Sequence, residues 1–220
     1  MPTTTIAQQV TALAEAMAGL PPNEVMGAFA REQAELATRG APEGVLPAGA
    51  KLPDAELLDP HGEATTLYEA LGGQTAVVVS YRGAWCPYCN IALNTYQAEL
   101  LPELTRRGVT LVAVSPQAPD GSLSMKEKND LAFTVLSDPG NRIAGSLGIV
   151  IAPSAEARAA QLQLGLDLTA VNADGTTGLP VPATILIDAD RVVRWIDVHS
   201  DYTTRSEPTE ILAALDALGR

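Results

Sequence analysis

The stretch Ala76-Val77-Val78-Val79-Ser80-Tyr81-Arg82-Gly83-Ala84-Trp85-Cys86-Pro87-Tyr88-Cys89 decides how this chain is read. Its apolar run from Ala76 to Tyr81 predicts a strand buried on both faces. Pro87 then opens a helix, because at the first helical position its missing N–H would have had no partner anyway. Cys86 therefore falls at the N-cap, exposed and at the positive end of the helix dipole, while Cys89 lies one turn in and better shielded. The thiolate is the reactive form of cysteine, and such a place lowers its pKa from about 8.5 into the range ~3.5–7.5. Arg82, at the end of the strand, adds a cation. The pattern points to thiol–disulfide chemistry, in which Cys86 meets the substrate and Cys89 attacks the sulfur of Cys86.

Cys86 and Cys89 are the only cysteines among 220 residues. Zinc would need further Cys or His ligands, and His61 and His199 are isolated, so no metal is expected. A net charge of −12 argues against nucleic acid and anionic membrane surfaces, both of which favour basic patches. No apolar stretch approaches the roughly 20 residues that span a bilayer. The first residues lack the basic start and apolar run of a secretory signal, so a cytoplasmic protein is expected. In that compartment a lone cysteine pair reads as catalytic rather than structural.

Outward from the motif, residues 1–40 read as a helical extension and 41–220 as the redox domain. In the extension, Ile6, Val10, Leu13, Met17 and Leu20 recur at helical spacing. Pro21-Pro22 ends that helix, Asn23 caps a second, and Val25, Phe29 and Leu36 form one face of it. This helical hairpin must bury its apolar stripe on its own domain or on a second copy, and a homodimer is one expectation. A Pro/Gly-rich connector covers 40–53. Strands are expected near Ala55–Leu58, at Ala76–Tyr81, Val109–Ser115, Phe133–Leu136, Thr184–Asp188 and Val192–Val198. Helices are expected at Thr66–Leu71, from Pro87 to about Arg107, at Ser122–Asp130, after Asp138-Pro139-Gly140, at Ser154–Leu164 and from Pro208. The alternation implies an α/β fold with parallel pairing through crossovers.

With those residues in view, Val78 to Asn90 resembles the active-site segment of thioredoxin-like proteins. Tyr-Arg-Gly-Ala-Trp-Cys-Pro-Tyr-Cys-Asn is similar to the peroxiredoxin-like branch of the alkyl hydroperoxide reductase/thiol-specific antioxidant family. Pro47 to Tyr81, Ser137 to Arg142 with Leu147-Gly148-Ile149, and Pro182-Ala183-Thr184-Ile185-Leu186-Ile187-Asp188 extend the likeness over roughly 41–220. The resemblance implies a thioredoxin-like, peroxiredoxin-type sheet flanked by helices. It makes Cys86 the peroxidatic cysteine, Cys89 the resolving one, and Pro182 a cis-proline beside the sulfur. Trp85, Gly83 and Thr184 become the positions that meet substrate. No bound cofactor is implied, and the partners are a peroxide or small disulfide and a thioredoxin-like reductant.

The chain departs from the family pattern where a threonine and an upstream proline help bind peroxide, since those positions hold Gly83 and Val79. Arg82 is the nearest candidate for the family's active-site arginine, while Arg142 and Arg194 read as surface residues. Tyr202 and Arg205, in Asp201-Tyr202-Thr203-Thr204-Arg205-Ser206-Glu207-Pro208, are candidates to approach the site, and His199 reads as structural. Three functions stay open: a thiol-dependent peroxidase, a thioredoxin-type disulfide oxidoreductase, and a non-enzymatic redox-sensing module.

Overall fold

The computed structural model describes residues 4–18 and 23–219. Two helices come first, α1 (Ile6–Ala18) and α2 (Glu24–Arg39). Asn23 caps α2 as expected, its side chain accepting the Met26 N–H at 2.9 Å. The Leu20 and Pro21-Pro22 readings lie outside the described residues. A seven-stranded sheet follows, in the order β2 (Ala64–Thr66), β1 (Glu56–Leu58), β5 (Thr134–Ser137), β4 (Thr110–Ser115), β3 (Ala76–Ser80), β8 (Ala183–Ile187), β9 (Val193–Val198). Strands β3, β4 and β5 are parallel, and β8, β9, β1 and β2 extend the sheet antiparallel on either side. A small separate ribbon joins β6 (Val150–Ile151) to β7 (Leu179–Pro180).

The all-apolar reading of β3 is right because each of its faces meets a core. Val77 and Val79 face a cluster with Leu93, Tyr96, Leu100 and Ile211, while Ala76 and Val78 face one with Leu67, Leu71, Ile143 and Leu147. The period of two along a strand puts neighbours on opposite faces. The first layer comprises α4 (Pro87–Thr95), α5 (Leu101–Arg106), α6 (Pro119–Lys128) and α10 (Pro208–Asp216). The second comprises α3 (Leu67–Leu71) and α7 (Arg142–Ser146).

Three expectations change. The single helix from Pro87 to about Arg107 is divided by a wider π-type turn over Tyr96–Leu100. Pro102 follows it, with no N–H to give and a ring that clashes with the carbonyl one turn back, and the wide turn gives that ring room. Strand β2 is present where no strand was read. Its three residues turn directly into α3 through a capping box between Thr66 and Glu69. The helix expected at Ser154–Leu164 is α8 (Ala155–Gln163), and it is followed by a short α9 (Leu168–Val171) and by β7, where no elements were expected.

Both N-terminal helices pack on this chain's own α/β body, with Ile6 buried and Val10, Leu13, Met17, Val25, Phe29 and Leu36 half-buried. Helix α1 packs against α4, with Ile6 buried, and the Ile6 and Ala7 N–H groups donate to the Glu207 carboxylate. Helix α2 packs along α8, where buried Glu32 accepts the Ser154 N–H at 2.7 Å.

Candidate active site

Cys86 caps α4 with extended backbone, and Pro87 is the first residue of that helix, as the sequence predicts. A polar lattice holds the turn. Asn90 donates through its side-chain amide to the carbonyls of Ala84 and Cys86, both at 2.8 Å. Asn129, at the end of α6, donates to Asn90 at 3.0 Å and accepts from Asn94 at 2.7 Å. From the loop after β4, Gln117 accepts the Ala84 N–H at 2.6 Å. Gln117 and Asn129 went unread in the sequence, because nothing in their own neighbourhood announces a partner in another element.

Gly83 is there for shape. Its φ is +153°, and a Cβ would stand 2.4 Å from Trp85 Nε1 and 2.9 Å from Gln117 Oε1. A threonine at this position would sit in a strained backbone conformation and would have to displace the Trp85 indole and the Gln117 amide. Thr184 lies across from Val79 in β8, buried, and it does not line the cavity described below.

Two expectations are corrected here. Pro182 follows a trans peptide bond, as no described residue has a cis one. The Val181 N–H donates to the Ile149 carbonyl and the Pro182 carbonyl accepts from His199, so the chain runs extended through this point into β8. An extended approach is what the residue before a trans proline prefers. Cys86 is 1% exposed rather than open, and Cys89 is 0% exposed.

Cys86 lies at a cavity of about 380 Å³ walled by Met26, Phe29 and Ala30 of α2, Trp85, Tyr88 and Tyr202. Gln161 and Leu164 add the wall on the α8 side. Cys89 does not reach it. The cavity is mostly apolar, and Arg82 brings the charge, its guanidinium 4.2 Å from the centre of the Tyr202 ring and 5.2 Å from that of Trp85. Trp85 Nε1 and Gln161 Oε1 are buried there with no hydrogen-bond partner.

Behind the cavity stands Arg205. It is 6% exposed, donates to the Tyr202 carbonyl at 2.7 Å, and places Nη2 3.1 Å from Cys89 Sγ. The loop that carries it is stapled by His199, which bridges Asp197 at 2.9 Å and Thr204 at 2.8 Å, so His199 is structural as read. Arg142 and Arg194 pair with Glu56 and Asp188 on the surface, away from the cavity. Burial, then the hydrogen bond to Cys89, pushes the Cys86 thiol up. Burial works against the Cys89 thiolate too, but the hydrogen bond from Cys86 and the Arg205 charge outweigh it and pull Cys89 well below the ordinary range.

The family model described as "AhpC/TSA family" matches residues 48–196, well over half of the chain. The chain belongs to the AhpC/TSA family. It is therefore an oxidoreductase of the peroxiredoxin kind, and its sheet and flanking helices have the family's thioredoxin-like form. The peroxidoxin BcpB of Mycobacterium tuberculosis superposes with a TM-score of 0.60 at 20% identity, over 79% of this chain and 98% of that one. Reduced Prx3 of Vibrio vulnificus in complex with hydrogen peroxide gives 0.62 at 21% identity, over 77% of this chain and 99% of that one. The bacterioferritin comigratory protein of Xanthomonas campestris gives 0.59 at 19%, over 79% and 100%. At these identities the likeness is one of fold. A search of the curated proteins gives no match. The AhpC/TSA match ends before Arg205 and begins after α2, so the arginine at Cys89 and one cavity wall come from segments outside it.

Proposed function

We propose that this protein is a thiol peroxidase in which Cys86 reduces hydroperoxides, Cys89 resolves the oxidised sulfur and a thioredoxin-like dithiol restores the pair. The observation that carries the reading is the position of Cys86 alone, without Cys89, at an apolar cavity that also holds a guanidinium. The Cys86 sulfur bonds to the distal peroxide oxygen as the O–O bond breaks. The departing alkoxide takes a proton and leaves as alcohol, and Cys86 becomes a sulfenic acid. Cys89 then attacks Cys86 Sγ and displaces hydroxide, which leaves as water after protonation, and the disulfide forms. Two electrons from the external dithiol reopen it. Arg82 supplies positive charge where the alkoxide develops. The cavity volume lies within the range of small-molecule sites, which favours hydroperoxides with an apolar body over hydrogen peroxide.

A second reading, disulfide exchange with small disulfides, is favoured by Gly83 standing where peroxide-binding threonine is expected. Stopped-flow tryptophan fluorescence separates them. Prereduced protein mixed with cumene hydroperoxide should show a fast phase that Cys86→Ser abolishes. A rate no better than that of a free thiol, alongside rapid reaction with small disulfides, would replace the peroxidase reading with the exchange one.

A further inference from the structure

Arg205 is a buried cation, and among the described residues no carboxylate forms an ion pair with it. An isolated charge in such a place is costly unless an anion and hydrogen bonds compensate it. Its hydrogen-bond acceptors are the carbonyls of Tyr202 and Thr204 and the sulfur of Cys89. Of these only the sulfur can become an anion. The Cys86 thiol and the Arg82 backbone also favour the charged form of Cys89. Cys86, in contrast, has the helix N-terminus but no side-chain hydrogen bond from either arginine.

We propose that Arg205 holds Cys89, the inner cysteine, as the thiolate of the reduced pair, with Cys86 as the thiol that hydrogen-bonds to it. Resting on the peroxidase reading, this arrangement makes Cys89 the base for Cys86. As the Cys86 sulfur bonds to the peroxide oxygen, its proton passes to Cys89. That proton then leaves for the alkoxide, and Cys89 is again a thiolate, ready to attack the sulfenic acid. Proton and charge balance within the pair, and no further base is required. The charge distribution is the reverse of what the helix dipole alone would favour, because a full guanidinium charge in contact outweighs about half a charge at the helix end. The other titratable groups facing the pair are the phenols of Tyr81, Tyr88 and Tyr202 and the guanidinium of Arg82. The phenols are all shifted upward, so they stay neutral where the pair titrates. Arg205 is a positioning residue: it acts through Cys89 and does not line the cavity.

Thiolate ultraviolet absorbance, titrated in the reduced single-cysteine variants, reads the assignment directly. Cys86→Ser should keep a thiolate at neutral pH and below, while Cys89→Ser should form one only at or above the ordinary thiol pKa of about 8.5. Adding Arg205→Gln to Cys86→Ser should raise the Cys89 pKa by at least one unit, a tenfold change in ionisation. If that variant does not fold, the two cysteine variants decide alone. A thiolate that persists in Cys89→Ser and vanishes in Cys86→Ser overturns the assignment. For the base role, Cys89→Ser should form the sulfenic acid roughly tenfold or more slowly than wild type at neutral pH, recovering as pH rises through the Cys86 pKa. An unchanged rate removes that role. A wild-type protein inert to peroxide would end the peroxidase reading and the base role with it, while the absorbance would still show which sulfur is charged.

Discussion

At Gly83 one backbone angle and one close approach set the shape of the active-site turn. A side chain there meets the Trp85 indole nitrogen at 2.4 Å in a conformation that L residues rarely adopt. Gly83→Ala should therefore lower stability by about 1–3 kcal/mol, measured by chemical denaturation, and shift the Trp85 emission of the folded state. The family's threonine is absent from this position, and a side chain placed there would press on the Trp85 indole and the Gln117 amide. The stretch from Tyr81 to Asn90 announced the dithiol, the N-cap and the first-turn proline. It did not announce which sulfur carries the charge. That depends on Arg205, more than a hundred residues downstream, coming within 3.1 Å of Cys89.

The helix α4 shows how an element is held for chemistry. Its N-terminal carbonyls are tied by Asn90, and Asn90 in turn by Asn129 at the end of α6. Asn129→Ala removes a buried donor from that chain and should cost about 1–3 kcal/mol in thermal or chemical unfolding, while slowing oxidation of Cys86 through a looser turn. At the other side of the site, β9 and the Arg205 loop are joined through Asp197, which accepts from Ser206 at 2.8 Å and bonds to His199. The His199 hydrogen bond first, with the Ser206 bond opposing burial, holds the Asp197 carboxyl below its usual range. A carboxylate depressed in the folded state stabilises above the unfolded pKa of about 3.9 and loses that contribution as pH falls through the folded value. Unfolding midpoints measured from pH about 5 downward should thus fall more steeply for wild type than for Asp197→Asn. Helix periodicity and capping residues made most elements legible. The π-type turn and β2 were hidden because each depends on how a neighbour packs rather than on local pattern.

In the whole molecule, the N-terminal segment turns a redox motif into an enclosed site. Met26, Phe29 and Ala30 of α2 close the cavity at Cys86, and Glu32 locks α2 to α8. Ala30→Trp should fill that space, so the rate constant for cumene hydroperoxide should fall by more than the one for hydrogen peroxide in stopped-flow assays. Glu32→Ala leaves the Ser154 N–H without its partner and should destabilise the fold by about 1–3 kcal/mol, seen in denaturant titration. The pairing of a periodic apolar stripe with the need to bury it was readable from α1 and α2. The surface that would bury them was not, because a helical stripe states how much apolar area must be covered and leaves open what covers it.

The local sequence determined the strand–turn–helix that carries Cys86 and Cys89, the alternation that builds an α/β sheet, and the caps that start α2 and α4. Those features depend on dihedral preference, periodicity and hydrogen-bonding groups within a few residues of one another. Tertiary structure alone decided that Cys86 is covered, that Pro182 enters β8 through a trans bond, and that Arg205 rather than Arg142 or Arg194 reaches the dithiol. Each of these rests on contacts between segments far apart in the chain. Charge, burial and shape at a site are sums over such neighbours, which no single stretch of sequence contains.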